Sequence, residues 1–264
     1  MAANEPGQPA IALHGFTHNR AAPAVALAIG AHPDDVEFGG GGTLAKWADA
    51  GCVVHHLICT DGSKGTWNFD ADVVALTQQR QLEQREAARR LSGANAGTVV
   101  FLDRVDGELD SDLKTRGEVA RVIRELRPEV VLGHDPWKRY RLHPDHLHAG
   151  HLAIDGIVAA RDPHFFPDTG VPYRPEHLLL FEAELVDHLE DVESSIDAKV
   201  AALLEHRSQW RPTMGIDADD PAVGATTVAA QRQAFEQRVR GVAAEAGAPA
   251  GLAYAEAFKL IDEL

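Results

Sequence analysis

A chain of 264 residues and 28.5 kDa carries 25 Lys and Arg against 40 Asp and Glu, a formal charge of −15 and a pI near 5.3. Such an acidic surface repels phosphate backbones and anionic lipids, which sets nucleic-acid and membrane-surface binding aside. Two cysteines, Cys52 and Cys59, are too few for a disulfide scaffold or a thiolate-rich zinc module and read as core-facing thiols. No apolar stretch approaches the ~20 residues of a membrane helix, and the N-terminus lacks a secretory pattern, so a soluble cytoplasmic protein is expected.

Residues 1–22 mix Pro, Gly and polar residues without a period and read as an N-terminal arm, with one domain expected over 23–264. Val25–Ile29 reads as a short buried strand, Gly42–Ala50 as a helix and Cys52–Cys59 as a second strand. A polar loop then leads to a long helix at Val73–Leu91, closed by Ser92-Gly93. Thr98–Leu102 gives a third strand, Asp112–Leu126 a helix stopping before Pro128, and Glu129–Gly133 a fourth strand. A helix at Asp145–Ala160 and a fifth strand at His177–Phe181 come next. Asp197–Trp210 and Val228–Ala246 read as helices, Arg211–Ala225 as a surface loop, and Tyr254–Ile261 as a closing turn of helix. Strands separated by helices imply crossover connections. The expected fold is therefore α/β, a Rossmann-like three-layer sandwich with a mainly parallel sheet flanked by helices.

In an open parallel sheet, ligands bind outside the carboxyl ends of the strands. The residues just past each strand here are repeatedly His and Asp. The first strand leads into His32-Pro33-Asp34-Asp35, the second into Asp61, the third into Asp103 and Asp106, and the fourth into His134-Asp135, then His143-Pro144-Asp145-His146. His32 and Asp35, three apart across a tight turn, can converge on one ion. One imidazole of the His143/His146 pair can complete a two-His, one-carboxylate set that leaves coordination positions open. That set suits Zn²⁺ best, with Fe²⁺ its competitor. Gly39 to Gly42 do not fit a dinucleotide fingerprint, because the acidic turn comes between strand and glycines; close packing of helix on sheet is the better reading.

The segments AHPDDVEFGGGGTLAKWADAG (31–51), TDGSKGTW (60–67), RQLEQREAARRL (80–91), VDGEL (105–109) and HPDH (143–146) together resemble the LmbE-like, PIG-L family of metal-dependent N-deacetylases. That family includes deacetylases of mycothiol and bacillithiol synthesis and of N-acetylglucosaminyl-phosphatidylinositol. The resemblance implies metal ligation by His32, Asp35 and His146, with Asp34 as general base. It further implies His143 as the electrophilic histidine, Asp145 as its partner, and Arg80 as the substrate-side arginine. The chain departs from the family pattern at Val36, where the usual acid comes one residue later as Glu37. It departs again before the histidine pair, where Arg141 and Leu142 stand and Tyr140 takes the place of a tyrosine. Trp67 and Tyr140 offer rings to a sugar.

The activity so implied is zinc-dependent removal of acetyl from an N-acetylated, GlcNAc-type amino-sugar conjugate, a small-molecule partner. The resemblance is also compatible with a homo-oligomer. The alternatives are a metal-dependent amidase acting on a different amide and a non-catalytic sugar-conjugate binding protein.

Overall fold

The computed structural model describes residues 16–264. Among these, eight strands form one sheet: β1 (Thr17–His18), β2 (Val25–Gly30), β3 (Val53–Thr60), β4 (Ala96–Arg104), β5 (Val130–His134), β6 (His177–Phe181), β7 (His188–Asp191) and β8 (Ala255–Asp262). Six α-helices accompany them: α1 (Asp35–Asp49), α2 (Val73–Ser92), α3 (Leu113–Leu126), α4 (Pro144–Arg161), α5 (Ile196–Leu203) and α6 (Ala225–Gly247). The strand order is β1-β7-β8-β6-β5-β2-β3-β4. Every pairing is parallel except the two made by β8, which runs antiparallel between β6 and β7. The α/β sandwich with a mainly parallel sheet is as expected.

Side chains alternate across the strands, and this sorts the core into two faces. Leu27 and Ile29 of β2 join Val119, Ile123, Leu152 and Ile157 of α3 and α4. Ala26 and Ala28 turn the other way, toward Leu44 and Trp47 of α1 and Ala87 and Leu91 of α2. Cys59 belongs to the first face and Cys52 to the second, both as buried thiols. β2 pairs with β3 on one side and β5 on the other, so the chain direction of the crossovers reverses beside it. The crevice at the carboxyl end of β2 is the place where an open parallel sheet receives a ligand.

Five elements differ from the sequence-based expectation. Tyr254–Ile261 is not a helical turn; Ala255–Asp262 is the antiparallel strand β8. Its buried Glu256 accepts hydrogen bonds from the Gly42 and Thr43 N–H groups at 2.9 and 2.7 Å, and pairs with Lys199 Nζ at 2.6 Å. The open edges of β6 and β7 decide this conformation, and local propensity is overridden. The helix expected at Asp197–Trp210 ends at Leu203, and the chain continues through a 3₁₀ turn at Arg207–Gln209 and a π turn at Trp210–Met214. Helix α1 begins at Asp35, seven residues before the expected Gly42. Strand β7 went unforeseen. Of the arm expected over residues 1–22, residues 1–15 lie outside the described residues, while Thr17–His18 pair in parallel with β7.

The glycine run lets α1 lie close on the sheet. A Cβ on Gly39 would sit 2.5 Å from the buried Phe181 ring, and one on Gly42 would sit 2.8 Å from Val192. Gly39→Ala is therefore expected to destabilise the protein by about 1–3 kcal/mol through overpacking, even though alanine favours a helix by ~1 kcal/mol over glycine. Thermal denaturation of the two proteins measures this as a lower Tm for the variant.

Candidate metal centre

The turn after β2 carries His32, Pro33 and Asp34, and α1 starts at once with Asp35. The Asp35 carboxylate folds back: its Oδ2 accepts the His32 N–H at 2.7 Å and stands 3.3 Å from His32 Nδ1. From the far side, α4 brings His143 as its N-cap residue and His146 in its first turn. His146 Nε2 lies 3.4 Å from Asp35 Oδ1. His134, the last residue of β5, sets Nε2 3.3 Å from Asp35 Oδ2. The rings crowd together, with centroids 4.5 Å apart for His32 and His143, 5.3 Å for His32 and His146, and 4.3 Å for His134 and His146. Two sequence motifs more than a hundred residues apart thus meet around one carboxylate.

Donor atoms within 4.8 Å of one another fall, among the described residues, into three groups: His32 with His143 and His146; Asp35 with His134 and His146; and His32 with Asp106, His143 and Asp145. The set expected from the sequence is spread over the first two groups, which share His146. Behind His32, its Nε2 faces Asp145 at 3.1 Å and Asp106 at 3.2 Å. Asp145 in turn accepts the Gly107 and Leu109 N–H groups at 2.6 and 3.2 Å. Its side-chain partner is thus His32, whereas the resemblance implied His143. His143 Nδ1 instead accepts the Asp145 N–H at 3.3 Å. Carboxylates hydrogen-bonded to the outer nitrogen of a histidine orient the ring and leave the other nitrogen to face a cation.

The electrostatics arise from burial and pairing. Burial is the largest influence on His32 and opposes its charge, yet Asp106, Asp145 and Asp35 together hold its pKa well above the ordinary value. Burial raises Asp35, but His146 and His134 more than offset this and hold it well below the usual carboxylate range. Burial pushes His146 down to about 4, with Asp35 opposing, so its imidazole is neutral at pH 7. Neutral imidazole is the form that ligates metals. Glu182, beyond these rings, is brought to about 2 despite its burial, by His134 and Arg141.

Asp34 behaves differently from its neighbour. It is the N-cap residue of α1, but its side chain makes no cap hydrogen bond, and its backbone is left-handed with φ +102°. Its carboxylate is buried, with Arg80 Nη2 3.6 Å away. Burial raises its pKa to about 6; Arg80 opposes the rise and Asp35 adds to it. Between pH 5 and 8 this carboxyl can both hold and release a proton, as a general base requires.

A cavity of about 540 Å³ opens here, with His32, Asp34, Asp35, Arg80, His143 and His146 in its wall. Arg80 is 3% exposed, and its guanidinium donates to the carbonyls of Gly62 at 2.8 Å and Pro33 at 2.7 Å, so it braces both loops. Trp67 and Tyr140 are not brought into this wall; they stand 87% and 92% exposed on their loops. Asp106 and Glu182 do line the cavity, although no role was assigned to them from the sequence. Glu182 directly succeeds β6, so the same search of strand ends that singled out His32 and His134 would have found it. Gln209 and Thr213 also reach the wall, from a segment whose irregular turns carry no sequence signal.

The raised pKa of Asp34 has a consequence for stability. Folded, the carboxyl holds its proton up to about pH 6, against an ordinary value of 3.8, so stability contributed by this group falls as pH rises from about 4 to 6. In chelator-treated protein, Asp34→Asn is expected to raise stability at pH 7–8 by on the order of 1–3 kcal/mol and to leave it nearly unchanged at pH 4. Denaturant titrations of both proteins at the two pH values measure the difference.

Comparison with known proteins agrees with this geometry. The family described as PIG-L, GlcNAc-PI de-N-acetylase, matches residues 27–157. A diacetylchitobiose deacetylase of Thermococcus kodakarensis is 34% identical over 188 residues, 70% of this chain and 69% of that one. A 1D-myo-inositol 2-acetamido-2-deoxy-alpha-D-glucopyranoside deacetylase of Rhodococcus opacus is 32% identical over 257 residues, 87% of this chain and 84% of the relative. The solved N,N'-diacetylchitobiose deacetylase of Pyrococcus horikoshii superposes with a TM-score of 0.77 at 26% identity, covering 91% of this chain and 84% of that one. Two relatives more than 30% identical over most of both chains, the family match over residues 27–157 and the shared fold place the chain in the PIG-L/LmbE family of N-deacetylases.

Proposed function

We propose that this protein hydrolyses the acetamido group of an N-acetylated, GlcNAc-type amino-sugar conjugate, with a divalent cation held by His32, Asp35 and His146 and with Asp34 as general base. The observation that carries the reading is the uncapped, buried carboxylate of Asp34, raised to about 6, beside the Asp35 carboxylate that His32 and His146 flank at 3.3 and 3.4 Å. Relatives named as deacetylases of diacetylchitobiose and of a GlcNAc-inositol support the substrate class.

The donor set fits a cation of the zinc type. It offers one carboxylate and two imidazoles, and His32 gives its outer nitrogen to Asp145 and Asp106. Zn²⁺ suits this mixture best, and Fe²⁺ shares the preference for two histidines and a carboxylate. Ligation through His146 Nε2 leaves the proton on Nδ1. Arg141, which now lies 2.7 Å from that Nδ1 and also pairs with Glu182, would then turn wholly to Glu182, because a guanidinium only donates. Bound there, a divalent cation supplies positive charge that acidifies water and polarises an amide carbonyl.

The chain's own groups do the rest. Asp34, ionised above about pH 6, takes a proton from the attacking water and later returns one to the departing amine nitrogen. His143 accepts the Asp145 N–H at Nδ1, which leaves its Nε2–H as a donor for the oxygen that gathers negative charge. Arg80 braces the Pro33 and Gly62 loops against the cavity and helps receive the substrate.

Metal-loaded protein is expected to release acetate from GlcNAc glycosides, to lose this activity on chelation and to regain it with Zn²⁺. Asp34→Ala should lower kcat by roughly 10²–10⁴-fold while bound metal stays at the wild-type level. Enzymatic acetate assay and elemental analysis measure both. Metal binding without hydrolysis of any amide would instead favour a sugar-conjugate binding protein.

A further inference from the structure

Asp34 is not a glycine, yet it sits at φ +102°, ψ −24°. A conformation of this kind costs of order 1–3 kcal/mol and persists only where the surroundings over-determine it. Two hydrogen bonds do so. The Asp34 carbonyl accepts the Phe38 N–H of the first turn of α1 at 3.0 Å, and its own N–H donates to Gln84 Oε1 at 2.9 Å. Gln84 lies on α2 and is fully buried. It is the only side chain bonded to the Asp34 backbone among the described hydrogen bonds.

A polar group of unusual composition for a core holds Gln84. Its Nε2 donates to Glu37 Oε1 at 2.8 Å and lies 3.1 Å from His56 Nδ1. The other oxygen of Glu37, Oε2, is 3.4 Å from His206 Nε2. Glu37, His56, Gln84 and His206 are all 0% exposed, and none of them lines the cavity. An ionised carboxylate only accepts, so Glu37 fixes the amide with its NH₂ side inward and its oxygen toward Asp34. Reversed, Gln84 would set two oxygens against one another and leave the Asp34 N–H without a partner. Burying these groups is costly. Neither the core nor the reaction as derived above needs them.

We propose that Gln84, oriented by Glu37 from behind the cavity, is a positioning residue: it holds the strained backbone of Asp34 and thereby aims that carboxylate at the attacking water. This rests on Asp34 as the general base. Gln84 touches no substrate, so its removal leaves binding and metal ligation in place and acts through the geometry of the proton transfer. A displacement of ~1 Å at a catalytic group is worth about 10²-fold in rate.

The test uses full-length, metal-loaded protein. Gln84→Met keeps the volume and removes both hydrogen bonds; it is expected to lower kcat roughly 10–100-fold, with KM and metal stoichiometry unchanged. Gln84→Glu sets two carboxylates face to face and should lower kcat at least as far. The exchanged pair, Gln84→Glu with Glu37→Gln, restores a donor facing an acceptor and an oxygen toward Asp34, and should recover most of the lost kcat. A merely structural role would lower thermal stability without moving kcat, and the exchanged pair would bring no recovery of rate. Unchanged kcat in folded Gln84→Met, a loss confined to KM or to bound metal, or no recovery in the exchanged pair overturns the proposal. Should the two Gln84 single variants fail to fold, the exchanged pair decides against Glu37→Gln alone, which leaves the amide free to turn and should be slower than the pair. Normal kcat in Asp34→Ala would instead overturn the reading of Asp34 as the base, a separate result.

Discussion

The carboxylate of Asp35 is the point on which this structure turns. It accepts the N–H of His32 in its own turn and lies within 3.4 Å of imidazoles from β2's end, β5's end and the first turn of α4. Without a negative charge there, the His32 and His134 rings, both raised above the ordinary value, would face one another across the crevice with nothing to neutralise them. The pairing pulls Asp35 well below the ordinary range while burial alone would raise it. A buried charge so surrounded by cation-forming rings is stable only as a set, since removing one partner leaves the others desolvated and unpaired.

Adjacent aspartates therefore do opposite work. Asp35 is charged because three histidines surround it, and Asp34, one residue earlier, is raised to about 6 because burial outweighs Arg80. The positive φ of Asp34 is what parts them, turning one side chain into the cluster and the other toward Arg80. Two carboxyl groups with pKa values driven apart by their surroundings are the pattern on which the proposed division between base and ligand rests. The strained backbone and the desolvated carboxyl both cost stability, and the tightly packed core must offset them. The glycine run of α1 serves the same end, because only a helix lying close on Phe181 and Val192 begins at the right place to carry Asp35.

Much of this was legible from local patterns. Five of the eight strands and most helices can be read from apolar runs and their punctuation, since buried parallel strands need continuous apolar segments. The histidine–aspartate words at the strand ends pointed to the crevice because the fold class dictates where such residues meet. The remainder had no local signal. Strand β7 is a four-residue segment, HLED, whose conformation is set by pairing with β1 and β8. Trp67 and Tyr140 read as sugar platforms by residue type alone, and type says nothing of which way a loop turns.

The amino-acid order by itself determined the alternation of strand and helix, the parallel character of the sheet and the two histidine–aspartate words, because each depends on residues within one or two turns of one another. Tertiary structure alone decided that Tyr254–Ile261 extends into a strand rather than coiling, that the Asp145 carboxylate pairs with His32, and that Gln84 reaches the backbone of Asp34. Those outcomes hinge on which groups are left without a hydrogen-bond partner once the layers close, a property of the whole packed chain that no window of sequence contains.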